Sequence, residues 1–272
     1  MKQILRPKYL PYLVLLFSVL GFLLRLRTFG SGKDSDGLYQ PQPLVWVLLA
    51  VVSIAVVALI FITVARLKNN GSFSDNFPPS LISAIGCAVG AAGMLSSALE
   101  VLTAGDSLSN ITGILGIAAA IGLAIAAAAR LKGKPPFFLC HVAVSLYLGL
   151  QIFNHSRLWG NESQVGVFMF PLLALIFAML ASYHLATFDV DMGVRKTSLF
   201  WSLSAAYLCT VTLADRSEPL LFGSLAVWLF TNLCSLRPIK KTAPTLEELP
   251  EDQPQDDRPM TLEEIDQQMD LK

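Results

Sequence analysis

Few side chains in this sequence can do acid–base or ligand chemistry in an apolar setting, and three of them stand out: Glu100, His141 and His184. A carboxylate or imidazole inside a membrane is costly to bury, so such groups mark ion paths and proton relays. His141 and His184 sit near the ends of two apolar runs, with Cys140, Tyr183, Asp189 and Asp191 close by in sequence. Brought together, these residues would make a metal or proton-relay site. The histidines belong to different runs, however, and the alternative is two amphipathic side chains at headgroup level. Glu100, in SSALEVL near the end of another run, is a candidate to pair with Arg25 or Arg27, in a structural or gating role. No nucleophile elbow, P-loop, HExxH or dinucleotide fingerprint occurs, and no Cys/His set has zinc spacing. The sequence therefore predicts no enzyme, no cofactor, no metal site and no nucleic-acid partner.

What must position these residues is a set of membrane helices. The chain has 272 residues, of which 54% are hydrophobic and only 15% charged. Its uncharged runs are about as long as the ~20 residues that cross a bilayer core. Eight spans are expected, at about 10–24, 44–65, 79–104, 111–130, 135–153, 165–188, 198–214 and 219–236, giving an all-α polytopic bundle. The last two are short, and six or seven spans are the alternatives. The run at 79–130 is the expected centre, a hairpin crowded with small residues. Gly86, Gly90 and Gly93 mark one helix, and Gly116, Ala120, Ala124 and Ala128 form a four-residue stripe on the other. Such stripes let membrane helices approach closely. Ser198, Ser202, Ala205, Cys209 and Thr212 make a comparable face on the seventh span, suited to packing first and to a substrate path second. The four cysteines all fall in apolar runs and read as small buried hydrophobes. A four-plus-four duplication is suggested by Arg27-Thr-Phe-Gly and Arg157-Leu-Trp-Gly, which open the first loop of each half.

Charge gives direction. The net charge is zero, but ten of the twenty acidic residues lie in the last 31 positions. With both termini cytoplasmic, the inner segments 1–9, 66–78, 130–134, 189–197 and 236–272 hold 15 of the 20 basic residues. That is the asymmetry the positive-inside rule requires. Residues 1–236 form the expected transmembrane domain and 237–272 a cytoplasmic acidic tail whose composition predicts no fixed structure alone. Within the tail, Thr245-Leu-Glu-Glu and Thr261-Leu-Glu-Glu each open like a capping box. After the second, Leu262, Ile265 and Met269 would line one face of a short helix, able to dock on a cytoplasmic protein partner. An inert solvated tail is the plainer alternative.

Leu24-Arg25-Leu26-Arg27, followed by Asp34-x-Asp-Gly-Leu38, resembles uncharacterised multi-pass membrane proteins of clostridial bacteria. The resemblance implies a bacterial cytoplasmic membrane and carries no activity. The lipid bilayer is the one firm partner. Two functions compete: a small transporter or permease-like component, and a scaffold or sensor subunit that recruits a partner through its tail.

Overall fold

The computed structural model describes residues 10–29, 43–67, 72–103, 105–159, 165–215 and 218–237. Leu262, Ile265 and Met269, and with them the expected partner helix, lie outside the described residues. Within them the chain folds as α1 (Leu10–Phe29), α2 (Pro43–Ala65), a one-turn α3 (Phe73–Asn76), α4 (Leu81–Thr103), α5 (Ser107–Lys132), α6 (Leu139–Trp159), α7 (Val165–Asp189), α8 (Arg195–Thr212) and α9 (Pro219–Cys234). A 3₁₀ turn, Leu213–Asp215, extends α8. No strand occurs among the described residues.

Six of these helices are long and apolar enough to cross a membrane: α1, α2, α4, α5, α7 and α8. Their outward faces are apolar too, with Leu16, Leu44, Ile54, Leu81 and Ile114 all more than 60% exposed. Water would not tolerate such a belt, whereas hydrocarbon requires it. The chain is a multi-pass helical membrane protein. The two remaining long helices fall short of the expected span count for separate reasons. Gln151, Asn154, His155 and Arg157 dilute the second half of α6. α9 has only 16 residues, about 24 Å of helix against a core of about 30 Å.

Helices α4 to α9 close a ring: each packs on its neighbour in sequence, and α9 returns to α4. α1 and α2 lie outside that ring against α8. The two halves of the chain are thus not equivalent, since α1 and α2 have no counterpart role to α6 and α7. α8, which touches α1, α2, α7 and α9, is more enclosed than the 79–130 hairpin that the sequence placed at the centre. Ser198, Ser202, Ala205, Cys209 and Thr212 are all buried in its packing.

The glycines of α4 do pack closely, against α9 more than against α5. A methyl group at Gly86 would strike Thr231, one at Gly90 would press on Trp228 and Leu123, and one at Gly93 would strike Ser224 and the Leu220 carbonyl. The glycine face is therefore chiefly the seat of α9. On α5, Gly116 and Ala120 are buried while Ala124 and Ala128 are exposed. A strict four-residue stripe drifts by about 40° per step around a 3.6-residue helix, so it leaves the interface after two steps. The buried line runs instead through Gly116, Ala119, Leu123, Ala126 and Arg130. Gly93→Leu is accordingly expected to cost about 1–3 kcal/mol or more by overpacking, while Ala124→Leu leaves stability unchanged. Thermal unfolding of the two variants in detergent compares them directly.

Helix ends sort into two groups, as an antiparallel bundle requires. At one end, Ser80 N–H donates to the Arg130 carbonyl (3.1 Å) and Phe73 N–H to Asp191 Oδ1 (2.7 Å). There Arg195 donates to Asn76 Oδ1 and to the Arg237 carbonyl, both at 2.7 Å. Gly133 ends α5 in the left-handed conformation (φ 64°), directly beside Pro79. A side chain there would be strained by the backbone and blocked by the proline. At the other end, Arg25 makes a two-pronged ion pair with Asp215 (2.7 and 3.0 Å). Of the two expected partners of Glu100, Arg25 is taken by Asp215 instead, and Arg27 is exposed and makes no ion pair with Glu100.

Candidate functional site

α6 and α9 face each other across the ring and meet through side chains. His141, on the first turn of α6, stacks on Trp228 of α9, with centroids 6.2 Å apart and planes 12° from parallel. Its Nδ1 lies 2.6 Å from Asp189 Oδ2 at the end of α7, and both side chains are fully buried. Ionised, Asp189 accepts from Nδ1–H, which fixes the tautomer and turns Nε2 into the free proton-accepting position.

Around this pair the ring closes further. Ser83 Oγ donates to Asn232 Oδ1 (2.8 Å), and the Asn232 amide lies 3.9 Å from Cys87 Sγ. The Cys87 thiol also lies beside Trp228 and within reach of the Arg130 charge, which acts on Asp189 as well. Arg130 is 1% exposed, its guanidinium lying flat over Phe77 (3.8 Å) and Phe73 (4.9 Å). The one-turn α3 exists to supply that aromatic bed, which edge contact with Phe188 supports.

Five buried polar atoms here have no hydrogen-bond partner: Arg130 Nε and Nη1, His141 Nε2, Asp189 Oδ1 and Trp228 Nε1. Each such atom ordinarily costs about 1–3 kcal/mol. Their concentration in one cluster on four helices is not what a bundle optimised only for packing would retain.

A second polar cluster lies further along the same seam. Tyr147 donates to Ser97 Oγ (2.9 Å), and Gln151 Nε2 donates to both Ser97 (3.1 Å) and Tyr147 (2.9 Å). Ser97 in turn donates to Glu218 at 3.4 Å, and His155 Nε2 lies 2.9 Å from the other oxygen of that carboxylate. Asn154 donates to Thr112 at 3.0 Å. Glu218 holds a left-handed backbone (φ 45°) just ahead of α9, a conformation unusual for a residue with a Cβ and common at functional positions.

His141 and Tyr147 are six residues apart on α6, about 9 Å along the helix axis. Val144, on the α6 turn between them, is fully buried.

Of the residues the sequence singled out, His141 and Asp189 are brought together. His184 is not: five residues before Asp189, it points about 140° away around α7 and lies against Tyr183, edge to face (5.4 Å). The Cys140 backbone abuts Gly122 of α5 while its thiol lies within range of the Asp189 charge, and Cys87, from α4, joins the cluster through Asn232. Asp191 serves as an anchor for α3. Glu100 is exposed, at the edge of a small cavity of about 90 Å³ shared with Ser97 and Glu218. Among the described residues no three His, Cys, Asp or Glu side chains converge as metal ligands, so His141 and Asp189 stand as a pair.

Sequence reading missed Arg130, Trp228, Asn232 and Glu218. Arg130 carried a usable signal, because it continues the buried line of α5 in phase. No family model, curated protein or solved structure matches this chain.

Proposed function

We propose that the chain is a small proton-linked membrane transporter, with the His141–Asp189 cluster as its inner station and the Glu218–Ser97–Tyr147–Gln151 cluster as its outer one. The observation that carries this reading is the set of five unpartnered polar atoms around His141. A scaffold gains nothing from them, whereas a relay needs groups free to exchange protons. The His141–Asp189 pair can hold a proton without net charge, and Cys87, Trp228 and Arg130 surround it with donors.

Eight crossings with both termini inside fit this scheme. Among the described residues, Arg66, Arg130, Lys132, Lys134, Arg195, Lys196 and Arg237 fall at the helix ends gathered around α3, the end that carries the inner station. α6 tolerates its polar half because Gln151, Asn154 and His155 turn into the ring, while Arg157 stays exposed at the helix end beside Asp106. α9 tolerates its shortness because it packs against α4 and α8.

Thiol labelling in a chain stripped of its other cysteines tests both layers of the proposal. A cysteine at Ser107 is expected to react with a membrane-impermeant maleimide from outside intact cells, and one at Ser235 only after permeabilisation. A cysteine at Ser202 is expected to stay protected. Native Cys87 carries the functional question: a small charged methanethiosulfonate reagent is expected to reach it from the inner side of inverted vesicles. Complete protection of Cys87 on both sides would mean a dry bundle and would overturn the transport reading. Labelling of Ser235→Cys from outside would overturn the topology.

A further inference from the structure

Beside the outer station a long groove opens in the flank of the bundle. Its volume is about 690 Å³, and its walls come from α1, α4, α8 and α9. The lining is almost entirely apolar, and it is deep because small residues stand where side chains would fill it: Ala92, Gly93 and Ser96 on α4, Gly223 on α9. Along α9 it runs from Pro219 to Phe230, about 16 Å of helix. One leaflet of a bilayer core is about 15 Å deep. The groove therefore has the depth of a single hydrocarbon chain hanging from the outer surface.

Its mouth is acidic. Pro219 and Leu220 line both this groove and the small cavity that holds Glu100 and Glu218. Glu100 has no ion-pair partner among the described residues, and Glu218 meets an imidazole and the Ser97 hydroxyl. Of the described cations at this end, Arg25 is matched by Asp215, Arg157 lies 3.7 Å from Asp106, and Arg27 is exposed and makes no ion pair with either glutamate. An apolar slot one leaflet deep under two carboxylates selects by charge as well as by chain.

We infer that this groove binds a single-chain cationic amphiphile, a long-chain amine or quaternary ammonium dissolved in the outer leaflet, and that this is the substrate class of the transporter. The second half of the inference rests on the transport reading; the first half does not. The alkyl chain lies against Ala92, Gly93 and Gly223 while the cation sits between Glu100 and Glu218. Placed there, the cation touches the Glu218–Ser97–Tyr147 hydrogen bonds directly, which links its arrival to the outer station. A phospholipid with a phosphate in its headgroup is disfavoured, because that phosphate would face both carboxylates.

The test uses the full chain in phosphatidylcholine vesicles and electron paramagnetic resonance of two spin-labelled probes, a stearyl-trimethylammonium and a stearate. The protein is expected to immobilise the cationic probe with a preference of about fivefold over the anionic one, the factor that one exposed charge contact supplies. Salt at 1 M should reduce that preference. Glu100→Gln should lower it while leaving the protein's thermal stability unchanged, since Glu100 holds no other part of the fold. Gly223→Leu should abolish immobilisation of both probes. The groove has room at that position, where an added methyl would meet only Leu213 at 3.5 Å, so the variant is expected to fold. Equal immobilisation of the two probes, or full binding by Gly223→Leu, would overturn the inference. Selective binding with no effect of the amine on proton movement in proteoliposomes would leave the groove as a binding site and sink the claim that its occupant is the substrate.

Discussion

Replacing Arg25 by methionine is expected to destabilise the protein by about 3–5 kcal/mol, and replacing Asp215 by leucine in the same chain is expected to recover most of that loss. Arg25 is completely buried, and Asp215 is only 5% exposed at its side chain. The guanidinium donates twice to the carboxylate and lies over the rings of Phe170 (4.8 Å) and Trp46 (5.1 Å). It thereby holds α1, α2, α7 and the turn after α8 at one point. The expected loss comes chiefly from what is left behind, a buried carboxylate with no cation. Removing both charges removes that cost as well, and a methionine stem retains contact with Trp46 and Phe170. Thermal unfolding of the single and double variants in detergent gives the comparison. A double variant no more stable than Arg25→Met alone would show that the ion pair is not what joins these elements.

Hydropathy made the helices legible because a membrane span is a composition before it is a contact. The expected runs 44–65, 79–104 and 111–130 became α2, α4 and α5 with ends shifted by only a few residues. Packing was less legible. Gly86, Gly90 and Gly93 announced a close approach but could not name the partner, and α9 occupies most of that face, with Leu123 of α5 at Gly90. A glycine stripe states how near a neighbour comes, and which neighbour depends on how the ring closes. The polar site was legible only where residues near in sequence also share a helix face. Asp189 and His141 were both in view, yet His184 was grouped with them because proximity in sequence outweighed its angle around α7. Glu218 and His155, 63 positions apart, meet only once the ring exists. Arg130 looked like a flanking cation of an inner loop beside Lys132 and Lys134. Its phase with Ala126 and Leu123, and the phenylalanines at 73 and 77, mark it instead as the buried one.

Asp189→Asn is expected to lower proton flux through reconstituted protein by roughly a hundredfold, the order of effect seen when a positioned proton-transfer group loses its function. The choice of asparagine isolates chemistry from folding. Its carboxamide oxygen can still accept from His141 Nδ1 at the position of Asp189 Oδ2, so the imidazole keeps its tautomer and its stack on Trp228. What disappears is the negative charge that stabilises the imidazolium when Nε2 takes a proton, and with it the ability of the pair to carry that proton without net charge in an apolar interior. Flux is measured in proteoliposomes with an entrapped pH dye, driven by a potassium diffusion potential. The expected pattern is flux in the unaltered protein, near-background flux in Asp189→Asn, partial flux in Asp189→Glu, and unfolding temperatures within a few degrees across the set. His141→Gln provides the complementary case, since a glutamine can donate to Asp189 but cannot shuttle a proton at neutral pH, and it should match Asp189→Asn. Undiminished flux in both variants would take the inner cluster out of the path. A large fall in unfolding temperature with flux retained per folded molecule would make the pair a structural clamp, and the outer station around Glu218 would then be the group that sets the proton's route.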